Sequence, residues 1–292
     1  MHQEQRHSKS ISGHFCLIIP VISILLTFSS PGLAADVSYT TVPLELYGHL
    51  IVIKGTVEGL EDLNFVLDTG SSRSILDSHV AAQLGLSGEY QLVSSLEQEV
   101  WVQRSFIPAL TVGDLTYQEV TVWIASVSGI TELVRIDGLI GLDLIKRNSI
   151  SIDFSKRTVT FGRVFHGPFR FPFYPELPII PVPFSAGERQ LTLLLDTAAD
   201  QIVLYASKVK GKLSGVVKME GVKQIRHVGG IDRLKPVMMK KARIGNSQWK
   251  NLSAYLLDTS CCMKGPDGVL GVAALQVAVL NLDFDNNIVS WE

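Results

Sequence analysis

Two short segments of the chain end alike, Phe65-Val-Leu-Asp68-Thr69 and Leu193-Leu-Leu-Asp196-Thr197. In each, an apolar strand delivers an aspartate out of a core, where a carboxylate is costly unless hydrogen-bonded. After Asp68 come Gly70 and Ser71. The glycine permits a tight turn that returns backbone N–H groups to the carboxylate, and the serine offers a hydroxyl. One such segment alone reads equally well as an Asx turn at a strand end. Two of them can form a pair. Carboxylates held about 3 Å apart share one proton, and their apparent pKa values separate. The ionised member can take a proton from a water attacking a carbonyl while the protonated member donates to the carbonyl oxygen. Such hydrolysis uses no metal, cofactor or covalent intermediate, and the expectation is a mildly acid working range.

The elements that would position these residues occur twice in the same order. Each half opens on alternating apolar residues, at Pro43 to Ile53 and at Leu177 to Phe184, followed by a Gly turn and the Asp-Thr strand. Later, Ile136-Asp-Gly-Leu-Ile-Gly141 pairs with Pro266-Asp-Gly-Val-Leu-Gly271. Asp68 lies 73 positions before Gly141, and Asp196 lies 75 before Gly271. The segments Ile152–Phe161 and Leu282–Trp291 each read as a terminal β-hairpin. Most other segments are short runs of Val, Ile and Phe between Gly, Asn and Asp turns. Helices are expected only at Ser78–Leu86, capped by Asp77 or Ser78, and at Ile140–Lys146. The fold class is therefore all-β, with lobes at residues 36–164 and 177–292. Residues 165–176, rich in Pro and aromatics, read as the linker between them.

With these parts in hand, the pattern apolar-apolar-Asp-Thr-Gly-Ser with a late apolar-apolar-Gly resembles the pepsin and retropepsin superfamily of aspartic peptidases. Residues 65–76 and 136–145 carry the likeness in the first half, and 193–200 with 266–271 in the second. The resemblance implies a bilobal, pepsin-like fold with a pseudo-twofold axis, and Asp68 and Asp196 as the catalytic pair. It implies that Thr69 and Thr197 brace the opposite turn, and that Ile140-Gly141 and Leu270-Gly271 pack beneath the two turns. The substrate would be peptide or unfolded protein, cut by a monomer. A flap hairpin would fall between Val93 and Phe106, with Trp101 either its aromatic or a core strand residue. In the second half, His227-Val-Gly229-Gly230 reads either as a flexible flap tip or as an ordinary loop. The second turn departs from the pattern, reading Asp196-Thr197-Ala198-Ala199. If position 198 needs positive φ, Ala there costs about 1 kcal/mol or more; if φ is negative, the methyl fits. Ala198 favours one alternative, a peptide-binding protein without catalysis; a separate alternative is a peptidase formed by the first lobes of two chains.

Several residues imitate a site. Leu257-Asp258-Thr259-Ser260 lies too close to Gly271 and aligns instead with Ile124 to Ser128. Asp153, Asp283, Asp137 and Asp267 read as turn formers. The histidines are scattered without metal-ligand spacing. Of three cysteines, Cys16 lies in the leader, and the neighbours Cys261 and Cys262 could close only a strained ring. The formal net charge of −2 over 292 residues argues against nucleic acid as the main partner. Lysines and arginines cluster between Lys208 and Arg243, read as a solvated face, with an anionic partner as the other reading. Residues 1–34 have the order of a secretory signal: Arg6 and Lys9, an apolar run from Phe15 to Phe28, then Gly32 and Ala34. The run is shorter than the roughly 20 residues that span a bilayer. The product is expected in the periplasm or secreted, with an uncleaved tether as the alternative.

Overall fold

Alternation of apolar and polar residues turns most of the chain into strands. In Leu115–Ala125, Tyr117, Val120, Val122 and Ile124 face inward while their neighbours face out. The computed structural model describes residues 39–94, 99–174, 178–209, 216–227, 230–258 and 265–292. The leader, Gly229, Cys261 and Cys262 lie outside the described residues. The fold is all-β.

The first half builds a sheet in the order Glu45–Tyr47, Leu50–Val57, Leu60–Asp68, Gly138–Gly141, Ile75–Asp77, Leu115–Ala125, Glu99–Val112, Glu89–Ser94. The second half follows the same plan: Pro181–Ala186, Arg189–Asp196, Gly268–Gly271, Ile202–Tyr205, Ser247–Leu257, Gly230–Ile244, Val216–Lys218. Lys223–His227 pairs with Gly230–Ile244 as a further hairpin. The likeness reaches backbone detail. Glu119 (φ 53°) and Asn251 (φ 54°) are left-handed non-glycine residues at equivalent points of the two long hairpins.

A third sheet joins the halves in the order Thr40–Pro43, Thr158–Phe161, Ile150–Asp153, Val279–Asp283, Ile288–Trp291, Phe169–Pro172. Its two central strands run antiparallel, with Ile152 opposite Leu280 and Ile150 opposite Leu282. Each is the first strand of a terminal hairpin, so the order reads alike from both ends. The segment expected as a plain linker holds the outermost strand, Phe169–Pro172. Phe169 and Phe171 pack on Trp291, with ring centroids 6.4 and 5.5 Å away. Spacing by two residues explains why this segment is a strand, and Pro172 is tolerated because the strand is an edge.

Beneath the Asp68 turn, Val66, Ile75 and Leu139 gather with Leu50, Val52, Val127 and Ile136. Beneath the Asp196 turn, Leu194, Val203 and Val269 gather with Tyr205, Leu234 and Leu257. The first helix is Ser78–Gln83, capped by the Asp77 carboxylate on the His79 N–H. It ends before Leu86 because Gly85 (φ 64°) turns left-handed, while the Leu86 N–H bonds the Ala81 carbonyl. The second helix shortens to Leu142–Ile145.

Candidate active site

Each aspartate ends a strand that lies parallel to a Gly-Leu/Val-Ile/Leu-Gly strand. Asp68 sits beside Gly141, and Asp196 beside Gly271. A side chain at either glycine would collide with the turn above it. A Cβ on Gly141 would lie 2.4 Å from the Arg73 carbonyl carbon, and one on Gly271 would lie 2.5 Å from the Ala199 oxygen. The turns therefore rest directly on these glycines, as the resemblance implied.

Asp68 Oδ1 accepts from the N–H groups of Gly70 (2.9 Å) and Ser71 (3.1 Å). Asp196 Oδ1 accepts from the Ala198 N–H at 2.8 Å. The two carboxyl groups lie close enough to interact directly. Around them the threonines cross over. Thr69 N–H donates to Thr197 Oγ1 (3.0 Å), and Thr197 N–H donates to Thr69 Oγ1 (3.1 Å). Their hydroxyls donate in turn to the carbonyls of Leu195 (2.8 Å) and Leu67 (2.7 Å). Both threonines are buried, so all four bonds are shielded from water and hold the two turns in register.

Burial raises both carboxyl groups above the usual carboxylate range. Asp68 is pushed up to about 6, with the Gly70 and Ser71 N–H groups opposing the rise. Asp196 is pushed to about 8, because the Asp68 charge adds to burial. Two N–H groups hydrogen-bond to Asp68 and one to Asp196, so this geometry favours the negative charge on Asp68.

Ala198 does not adopt positive φ, so the strained alternative falls away. Its methyl packs against the first-half cluster of Leu50, Val66 and Leu139, and Ala199 packs against the second-half cluster.

The two turns are braced differently. On the first, Ser71 Oγ donates to the Arg73 carbonyl (2.7 Å). Ser74 Oγ accepts from the Gly141 N–H (3.0 Å) and donates to Asp143 (2.9 Å). The second turn lacks these hydroxyls. There Lys223, from the hairpin Lys223–His227, meets the Asp200 carboxylate at 2.5 Å, and Gln201 Nε2 adds a bond of 3.1 Å. The Lys223 ammonium also lies 5.4 Å from the Tyr255 ring centre. His49, from the first half, lies near Ala198, Asp200 and Lys223; burial holds its imidazole below the ordinary value. Burial would raise the Asp200 carboxyl, but the Lys223 ammonium and the Gln201 amide outweigh it and hold it below its ordinary value. A double-mutant cycle on Asp200→Asn and Lys223→Met is expected to show coupling of about 1 kcal/mol in kcat/KM. Strictly additive losses would remove the pair from the site. Sequence reading missed this brace. Its one local signal was a charge at Asp200 where the first half has Ser72.

Trp101 stands opposite Leu92 in the hairpin Glu89–Ser94/Glu99–Val112 and is 67% exposed. It is not a core residue, and with Tyr90, Ala81 and Leu86 it lines a groove that neither aspartate enters. Gly230 opens the strand Gly230–Ile244 opposite His227, while Gly229 lies outside the described residues. Asp258 is exposed at a strand end and pairs with Lys235 at 3.2 Å, away from the aspartates. Asp137 and Asp267 do similar work in the two halves, accepting the N–H groups of Asn64 and Thr192, each at 2.9 Å. Asp153 and Asp283 accept the N–H groups of Lys156 (2.8 Å) and Asn286 (2.9 Å) in their turns.

Residues 53–144 match a family model described as aspartyl protease. The match spans Asp68, Thr69, Gly70 and Gly141 and stops before the second half. No curated protein matches the chain.

Proposed function

We propose that this chain is an aspartic endopeptidase that hydrolyses peptide bonds with one water held between Asp68 and Asp196. The observation that carries the reading is the meeting of two partly buried carboxyl groups from separate halves, beside a crossed network of buried threonine hydrogen bonds. The aspartyl-protease match over the first half supports the chemistry.

Asp68, ionised, accepts a proton from the water as its oxygen attacks the peptide carbonyl carbon. Asp196 gives its proton to the carbonyl oxygen, leaving a neutral gem-diol. When the C–N bond breaks, the amine nitrogen takes the proton held by Asp68, and Asp196 recovers one from a diol hydroxyl. Each aspartate ends as it began. The hairpins bearing Trp101 and Gly230 would cover an extended substrate. The leader sequence supports action outside the cytoplasm, on peptide or unfolded protein.

The reaction needs one proton on the pair. Below the lower titration both carboxyls are protonated and no base remains; above the higher both are ionised and no acid remains. Burial moves both titrations upward, so kcat/KM is expected to be bell-shaped with both limbs at higher pH than free carboxyls would give. The shift runs toward the alkaline side of the mildly acid expectation. Cleavage of an unfolded protein between pH 3 and 9 checks it. Binding of a transition-state-like inhibitor without cleavage at any pH would make the chain a peptide-binding protein instead.

A further inference from the structure

The second half carries a cationic face that its twin lacks. In Gly230–Ile244, Val237 and Met239 are buried, and further on so are Ala242 and Ile244. The remaining side chains, Met238, Lys240, Lys241 and Arg243, therefore look out from the other side of the sheet. Lys250 lies directly opposite Lys241 on the neighbouring strand, and Gln248 lies opposite Arg243. Two like charges facing each other across a strand pair destabilise it, and no carboxylate among the described residues pairs with either. The lysine ion pairs of this half, Lys223–Asp200 and Lys235–Asp258, lie elsewhere.

The internal repeat supplies a control. The two long hairpins align through their turns, Val112 opposite Leu115 and Ile244 opposite Ser247. Lys240, Lys241, Arg243 and Lys250 then correspond to Pro108, Ala109, Thr111 and Gln118, none of them charged. The fold does not require cations here. Residues 208–250 hold 12 lysines and arginines against two carboxylates, in a chain whose total is 26 against 28. One end of the face is apolar: Val217 lies opposite Met238, and Val217 and Met219 are each 46% exposed.

We propose that this face docks the second half onto a bilayer containing anionic phospholipid. Lysine and arginine heads suit lipid phosphates, and short exposed apolar side chains beside them suit the headgroup–acyl boundary. A soluble polyanion would use the charges and leave Val217 and Met219 in water. The apolar run from Phe15 to Phe28, as leader or tether, would bring the chain to a membrane in either reading.

The test is co-sedimentation of the full chain with vesicles of phosphatidylcholine alone or mixed with phosphatidylglycerol. The leader is common to every variant, so the readout is the gain on adding the anionic lipid. That gain is expected to fall as salt rises. At about fivefold per cation, the neutral pair Lys241→Gln/Lys250→Gln should lose about 25-fold of it, and Lys241→Glu/Lys250→Glu more. Val217→Ser should lower binding while leaving its salt dependence unchanged, and Lys146→Glu in the first half should change nothing. Unchanged melting temperatures exclude misfolding, and the neutral variants serve if charge reversal unfolds the chain. No gain with anionic vesicles, or a gain indifferent to the double variants, overturns the proposal. So does equal capture by a soluble polyphosphate with no effect of Val217→Ser.

Discussion

Asp196→Asn is expected to abolish peptide cleavage, by a factor of about 10³ or more, while making the protein more stable at pH 8. The first effect follows from removing the proton donor of the pair. The second follows from the raised pKa. A carboxyl group titrating at about 8 in the folded chain and near 4 in the unfolded one binds more protons when folded. Its contribution to stability is fully present below the unfolded value and is lost as pH rises through the folded value. Asparagine does not titrate, keeps an oxygen for the Ala198 N–H, and can donate its amide to Asp68. Because Asp196 is only partly buried, the gain is discounted to about 2 kcal/mol, roughly 4–8 °C in Tm for a chain of this size. Activity surviving in Asp196→Asn but not in Asp68→Asn would favour a site built by the first halves of two chains. A loss of stability at pH 8 would contradict the buried, proton-sharing pair.

Gly70→Ala is the second large effect, and it contrasts with Ala198→Gly at the matching position. A Cβ on Gly70 would lie 2.5 Å from Asp196 Oδ2 and 2.6 Å from its Cγ. The carboxyl is tied to the Ala198 N–H and to Asp68, so making room for the methyl breaks the pair. Misplacement by about 1 Å costs on the order of 10²-fold in rate, and kcat is expected to drop accordingly with little change in Tm. Ala198→Gly meets no such conflict. It should keep activity and lose at most about 1 kcal/mol, through the greater freedom of the unfolded chain. Steady-state kinetics and thermal melts on the two variants decide the matter. Equal activity in Gly70→Ala and the parent would place the working carboxylates elsewhere.

The aspartates, their threonines and the glycines beneath them were legible because each sits within a few residues of a repeated motif. The repeat also exposed Asp258 as an imitation, since its spacing to Gly271 is wrong. What escaped was non-local or depended on burial. Phe169–Pro172 becomes a strand only through Ile288–Trp291, more than a hundred residues later. Lys223, Asp200 and His49 come together from three separate segments, and none lies in a motif. The upward shift of the two carboxyl groups could not be read from residue types, because it comes from how far the fold removes them from water. The end of the first helix was written in Gly85, although apolar spacing alone carried the helix on to Leu86.

The six-stranded sheet sets a limit on how a substrate can enter. Its two central strands come from opposite halves and are stitched by main-chain hydrogen bonds from Ile150–Asp153 to Val279–Asp283. Swinging the halves apart would tear that ladder, so the separation of the aspartates is fixed by the backbone. An engineered cross-link between Ile152 and Leu280, which already face each other across the halves, would therefore leave the spacing of the two aspartates as it is.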